Sequence, residues 1–360
     1  MTACLSTNGP SVCEAGAKPT RLLVATLSGV DVIERADASA PWKKTAHTLD
    51  GKHVSALMRP PGKGVFASVH NGGIFHSGDD GATWTSRDNG VTSGHVFSLD
   101  YNGAALYAGT EPVSLFRSDD NGAHWRELPS IGAVPGHETW SFPPPPHLAH
   151  TKAFLFDRRD PNVFFAAIEQ GALLLTRDGG QTWRELDDFY RPDDVWPKDI
   201  HRVARDSRDD RLYIATGNGM FASDDGGEKW TRLTDMDFRI GYPDQMIVSP
   251  AGDGAIYASG AERDPRTWRT SRQAHGTVLR SRDRGRTWES ANKGLPNEGR
   301  ANIEAFNIAV YPGGFTMFAG NTDGEIYASE DGAESWQLVV SGLKPVSKGG
   351  HFRNLQTAAA

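Results

Sequence analysis

Residues 223–230 read SDDGGEKW, and the pattern inside them, Ser/Thr-x-Asp-x-Gly-x-x-Trp, decides the fold because it returns along nearly the whole chain. It recurs in full as SGDDGATW (77–84), SDDNGAHW (118–125), TRDGGQTW (176–183) and SRDRGRTW (281–288). SEDGAESW (329–336) carries Ala333 where glycine is expected, and a degenerate copy, ADASAPW (36–42), keeps only Trp42. Seven tryptophans therefore mark seven units. The chemistry is that of a hairpin turn: the aspartate accepts hydrogen bonds from amides of its own loop, the glycine takes a positive φ, and the tryptophan packs beneath. Carboxylates spaced one unit apart cannot converge on one substrate, so Asp79, Asp120, Asp178, Asp225, Asp283 and Asp331 read as turn residues.

Upstream of each motif lie short apolar runs separated by polar turns, as in HRVARDSRDD, LYIATGNG and MFASDDGG, with TRL following Trp230 as a fourth. Four antiparallel strands in a unit of about 40 to 58 residues, repeated, are the signature of propeller blades. The chain resembles the Asp-box (BNR) repeat propellers, a group that includes sialidases, sortilin-type receptors and photosystem assembly factors, over residues 21–357. The resemblance implies an all-β, seven-bladed β-propeller of four-stranded antiparallel blades. The first unit opens directly on a second strand, RLLVATLSG, so its innermost strand must come from elsewhere. The C-terminal GGHFRNLQT, similar to the first strands GKHVSALMR and SGHVFSLDY, is expected to supply it and so remove the sheet edges. Residues 1–20 then read as a flexible tail and 21–357 as one propeller domain.

The composition agrees: 40 glycines, 38% hydrophobic residues and a net charge of -7 with both signs interspersed. No basic face for phosphates is visible, which argues against nucleic acid. The N-terminus has neither a positive n-region nor an apolar h-region, and no stretch reaches the length of a membrane span, so a cytoplasmic protein is expected. Cys4 and Cys13, the only cysteines, both fall in the expected tail, so the fold is not expected to depend on a disulfide.

The repeated turn joins strands three and four of a blade, which leaves the opposite rim for ligands. Three insertions fall there, at residues 129–151, 186–200 and 261–276, and long ordered loops tend to be functional. Each carries one of the three tryptophans outside the repeat, Trp140, Trp196 and Trp268, and aromatics on three loops suggest a walled pocket. In the first insertion Pro143 to Pro146 form a stiff extended run expected to hold Trp140, His147 and His150 over the channel mouth.

Aligning the inner strands just ahead of their apolar cores gives His53, His95, His201 and the closing-strand His351, with Lys152 and the preceding His150 in blade four. Blades six and seven offer Asp244 or Gln245 and Glu304, Phe306 or Asn307. A ring of imidazoles at an axis suits one divalent transition metal ion. Carotenoid-cleaving oxygenases hold iron this way on a seven-bladed propeller, an analogy of architecture only. Second-strand ends add Glu111, Glu169, Glu262, His70 and Asn218 at wider radius.

The leading expectation is an enzyme, a hydrolase, lyase or oxygenase acting on a small cyclic, aromatic or sugar-like substrate. His53, His95, His201, His351 and His150 are its metal ligands or acid–base groups. Glu111 and Glu169 assist, Lys152 or Arg202 holds an anionic substrate, and Trp140, Trp196, Trp268, His70, His147, Asn218 and Glu262 line the pocket. A glycosidase built on paired carboxylates is the alternative. Against sialidase activity, the first blade reads RLLVATLSGVDVIER without the family's Arg-Ile-Pro motif, and Arg202, Arg239, Arg263, Arg266 and Arg300 form no recognisable triad. A third reading is a binding or assembly propeller whose rim holds a protein partner.

Overall fold

A computed structural model of the chain describes residues 1–296 and 299–355, and of residues 350–352 the backbone alone. Seven sheets of at least four strands follow one another along the chain, and the first strands of successive sheets touch around a ring. Blade four is typical. His150–Phe156, Phe164–Glu169, Ala172–Thr176 and Arg184–Glu185 form an antiparallel meander. Its middle strands are buried on both faces because neighbouring blades cover both, so their sequences, FFAAIE and ALLLT, run apolar without alternation.

The octapeptide joins strands three and four, as expected. In blade four Asp178 Oδ1 accepts from the amides of Gln181 and Thr182, both at 2.9 Å, and Oδ2 accepts from the Thr182 hydroxyl at 2.6 Å. That hydroxyl bond first, then the amides, holds the Asp178 carboxyl down to about 2. The buried Thr176 hydroxyl accepts from the Gly180 amide, and Gly180 takes φ +89°. In blade seven Ala333 occupies the same left-handed position at φ +63°. Four of the tryptophans tie their blade to the one before: Trp84 Nε1 donates to Thr48 Oγ1, Trp125 Nε1 to Arg87 O, Trp183 Nε1 to Ser130 Oγ and Trp336 Nε1 to Ala291 O, whereas Trp288 Nε1 donates to Gly285 O in its own turn.

Closure is achieved differently from the expectation. The innermost strand of blade one is Thr2–Leu5, buried throughout and parallel to Arg21–Thr26, because no hairpin joins them. The chain then crosses the channel and pairs Val12–Glu14, again parallel, with Ile303–Tyr311 of blade seven. In the crossing, Thr7 O accepts from Arg202 Nη2 at 2.6 Å and Gln245 Nε2 at 3.0 Å, and the Ser6 amide donates to Asn307 Oδ1 at 3.1 Å. Residues 1–20 are thus structural and not a loose tail. The described residues of GGHFRNLQT supply no strand: Gly350–Leu355 is a short helix, α2, packed against a second helix, α1, Pro265–Ser271, in the blade-six insertion. Among the described residues no helix is long and apolar enough to cross a membrane.

Candidate functional site

In blades two to seven the pairing of the first two strands slips by one residue at the same place. The skipped residues are Ser55, Phe97, Lys152, His201, Asp244 and Glu304. A bulge bends the strand and re-aims the extra side chain, and here all six are buried. They engage one another and their neighbours near the axis: Lys152 Nζ lies 5.2 Å above the Phe97 ring, Lys348 Nζ pairs with Asp244, and the Lys348 amide donates to Glu304 Oε2 at 2.7 Å. Two residues earlier in each strand lies a second tier, His53, His95, His150, Asp199, Tyr242 and Asn302. His95 and His150 pair across the ladder with Glu111 and Glu169, and the His70 amide donates to His53 O.

The tiers correct the expected imidazole ring. His53, His95 and His150 belong to the outer tier and His201 to the deeper one, and among the described residues no set of close donor atoms joins these four. His351 lies outside the described residues as far as its side chain is concerned. Among the described residues two separate sets have donor atoms within 4.8 Å of one another: His70, His95 and Glu111, half-buried, and Glu169, Asp199 and His201, fully buried.

Glu169 is the hub. It is 1% exposed, yet it lines the axial cavity. Its Oε2 receives His150 Nε2 at 2.5 Å and forms an ion pair with Lys152 Nζ at 3.2 Å, and its Oε1 lies 3.6 Å from His201 Nε2. Burial works to raise the Glu169 carboxyl, but the charges of Lys152, Lys348 and His150 outweigh it and hold the group well below the usual range. Burial also pulls the Lys152 ammonium down to about 7, against the attraction of Glu169. The other edge of the His150 ring faces Glu111, with Nδ1 3.4 Å from Oε2, so one imidazole bridges two carboxylates. His201 Nδ1 contacts Pro243 O at 2.6 Å, which directs its Nε2 toward Asp199 Oδ2, 3.3 Å away. Gly217 is required here, because a Cβ would lie 2.3 Å from Asp199 Oδ2.

Above Glu169 opens a cavity of about 560 Å³, walled by Phe97, Phe142, Trp196 and Tyr242, with Pro143–Pro146 on one side and Arg266, Arg269 and Arg353 on another. The sequence-predicted residues divide. His70, Glu111, Glu169 and Trp196 line the cavity. Asn218 holds Trp196 from behind: its Nδ2 donates to Trp196 O at 2.5 Å and its Oδ1 accepts from the Trp196 amide at 3.1 Å. Arg266 stacks over the Trp196 ring at 4.3 Å and is itself paired with Asp264.

Other expected residues sit elsewhere. Trp268 is fully buried against Ala261, Ala274 and Leu355, anchoring α1. Trp140 packs on Gly171 with the blade-three and blade-four core, and Phe142 takes the cavity position expected of it. His147 turns back on its own loop, Nδ1 to Phe142 O at 3.1 Å, and Glu262 is absent from the lining. Arg202 is not an anion receptor: it binds Gln245 Oε1 at 2.5 Å and Thr7 O, and burial lowers it to about 10. Lys152 lies beneath Glu169, so it too is withdrawn from a ligand. Phe97, Tyr242, Lys348 and Arg353 were not expected from the sequence; Phe97 is a bulge residue, Tyr242 opens its strand, Lys348 lies just ahead of α2 and Arg353 lies on it.

The architecture is therefore that of a seven-bladed β-propeller with a titratable axial pocket. No family model matches the chain. By sequence it is 22% identical over 318 residues to the photosystem II assembly lipoprotein Ycf48 of Synechococcus sp. (strain CC9902), which covers 83% of this chain and 79% of that protein. It is 26% identical over 223 residues to a xyloglucanase of Paenibacillus sp., covering 51% of this chain but 20% of that enzyme. Among solved structures an ancestral GH74 enzyme superposes with TM-score 0.62 at 16% identity, over 80% of this chain and 38% of the other. YCF48 bound to D1 peptide superposes with TM-score 0.50 at 16% identity, over 77% and 78%. At these identities the structural likenesses establish the shared propeller fold.

Proposed function

We propose that this Asp-box-type propeller is an enzyme that converts a small ring-bearing anion in the axial cavity, by base-catalysed hydrolysis or elimination, with Glu169 as the base. The observation that carries the reading is the cluster at Glu169: an ionised carboxylate, two imidazoles and an ammonium are withdrawn from water beneath an open pocket. Burying charges costs several kcal/mol per ion, and a scaffold has no use for that cost. Perturbed titratable groups in a cleft are where acid–base chemistry is built. Lys152 and His150 keep the resting carboxylate ionised; the negative charge of a bound anion offsets them and raises the proton affinity of Glu169, so that Glu169 takes the substrate proton. Phe97, Phe142, Trp196 and Tyr242 supply ring faces, and Arg269 and Arg353 supply positive charge at the rim. The cavity volume lies within the usual range for small-molecule sites, roughly 300–1,000 Å³.

Paired-carboxylate glycoside hydrolysis is less well supported by this geometry. It needs two carboxyl groups facing one glycosidic bond, whereas Glu111 and Glu169 face the two nitrogens of one imidazole. A peptide-binding role is favoured by the sequence likeness to Ycf48 but leaves the buried cluster without a purpose.

Turnover is tested by incubating the protein with fractionated metabolite extracts and following depletion by mass spectrometry, with a folded E169Q variant alongside. Depletion of a small anion by the wild type and a fall of at least about 100-fold in E169Q is expected for a general base. Equal depletion by both proteins, or none across extracts supplemented with divalent metals, overturns the reading.

A further inference from the structure

The cavity wall holds a second cluster, joined among the described ion pairs to the Glu169 cluster only through the contact of Glu111 with His150. His70 follows the second strand of blade two, His95 opens the first strand of blade three, and Glu111 closes the second strand of blade three. His95 and Glu111 are direct cross-strand partners, and the His70 amide is fixed to His53 O at 2.9 Å. All three therefore stand on strand ends of the ring and not on the long insertions. His95 Nδ1 lies 3.9 Å from Glu111 Oε1, and the His70 and His95 rings meet edge to face with centroids 4.6 Å apart.

The independent observation is a pair of unused nitrogens. His70 Nδ1 and His95 Nδ1 are both buried, and neither has a hydrogen-bond partner. A polar atom withdrawn from water without a partner costs about 1–3 kcal/mol, and here two such atoms gather beside one carboxylate. The donors of the set lie within 4.8 Å of one another. Bonds of about 2.0–2.1 Å in a tetrahedral site place ligands roughly 3.3 Å apart, so modest side-chain rotations bring these three onto one ion. The other candidate set, Glu169, Asp199 and His201, already has its counter-charge in Lys152 on Glu169. No lysine or arginine pairs with Glu111 among the described ion pairs; its partners there are His95 and His150.

We propose that His70, His95 and Glu111 bind one first-row divalent transition ion, such as Zn²⁺, Co²⁺ or Fe²⁺. Two imidazoles and a carboxylate suit these ions, whereas Mg²⁺ and Ca²⁺ prefer oxygen. Three protein ligands leave coordination positions open, and His70 and Glu111 both line the cavity, so those positions face the ligand space. His150, 3.4 Å from the second Glu111 oxygen, orients the carboxylate. The site stands on its own geometry, and because it is read by binding without substrate, its failure and that of the Glu169 reading are distinguishable.

The test uses the full chain stripped with chelator, then titrated with ZnCl₂ by calorimetry and with CoCl₂ by visible absorption. One ion per chain is expected, with d–d bands of a nitrogen- and oxygen-ligated Co²⁺ centre. H95A and E111Q, each checked for native circular dichroism, should weaken binding by at least about 100-fold, the upper end of the loss seen even for outer-shell changes. H201A should bind as the wild type does. Absence of stoichiometric binding, unchanged binding in both H95A and E111Q, or loss of binding in H201A overturns the proposal.

Discussion

Leu5→Ala tests the N-terminal closure. Leu5 is completely buried between Leu22 and Val24 of blade one and Ala305, Phe318 and Ile326 of blade seven. Its side chain also defines the space at Gly320, where an added Cβ would lie 3.1 Å from Leu5 Cδ2. Both flanking blades are held by their own ladders, so the hole left by truncation cannot readily collapse. The expected cost is in the upper part of the Leu→Ala range, about 3–5 kcal/mol. For 360 residues unfolding as one unit the entropy at the midpoint is about 0.75 kcal/mol per K, which converts that cost into a Tm fall of about 4–7 °C. The control is Val12→Ala in the neighbouring parallel strand, where Val12 is 40% exposed, and a shift under about 1 °C is expected. Thermal unfolding followed by circular dichroism reads both. Equal Tm values for the two variants, or a chain lacking residues 1–14 that melts with the wild type, would refute the reasoning.

Three further outcomes follow from the geometry. Asp100 is raised to about 7 by burial, with Arg202 opposing, so the folded state binds more protons than the unfolded one between about pH 4 and 7. Its contribution to stability is therefore present at low pH and lost as pH rises through that window, and Asp100→Asn should flatten the decline, gaining on the order of 2 kcal/mol at pH 8 by urea unfolding; a variant no more stable at pH 8 than the wild type contradicts this. Asn218→Ala removes both bonds that hold Trp196, so amide exchange across residues 194–198 should speed up by about 30-fold, at roughly 1 kcal/mol per bond, while Tm moves little; unchanged exchange means Trp196 is held by Arg266 alone. Asp178→Ala should lower Tm and leave ligand and metal binding untouched, since its carboxylate serves its own turn, and an effect on either binding would show that the repeat reaches the axis.

The octapeptide made blade number and register legible because its turn chemistry is local: a hydroxyl, a carboxylate and two consecutive positive φ angles within eight residues. The axial site was legible only in part. His95, His150 and His201 were found because polar residues at first-strand starts break an apolar run, and His70, Glu111 and Glu169 because they do so at second-strand ends. Their grouping was not, because a bulge adds a residue without changing the apolar pattern, and a plain alignment therefore merged His53 and His95 with His201 across two tiers. The closing strand was invisible for a related reason. TACL is four residues long, has no hairpin partner and pairs in parallel, so neither alternation nor a turn announces it, whereas GGHFRNLQT imitates a first strand although its Gly350–Leu355 form α2. Of the three off-repeat tryptophans, Trp196 is fixed at the cavity by Asn218, while Trp268 and Trp140 satisfy the cores of their own insertions, a distinction set by partners distant in sequence.

Small-molecule chemistry in the axial pocket is tested most directly by a crystal structure of E169Q soaked in metabolite extract. Density for a small anion between Phe142 and Trp196, reaching residue 169 and with its charged group toward Arg269 or Arg353, is the predicted result. An empty pocket, with density for an extended peptide across the rim in crystals soaked with peptides, would contradict it.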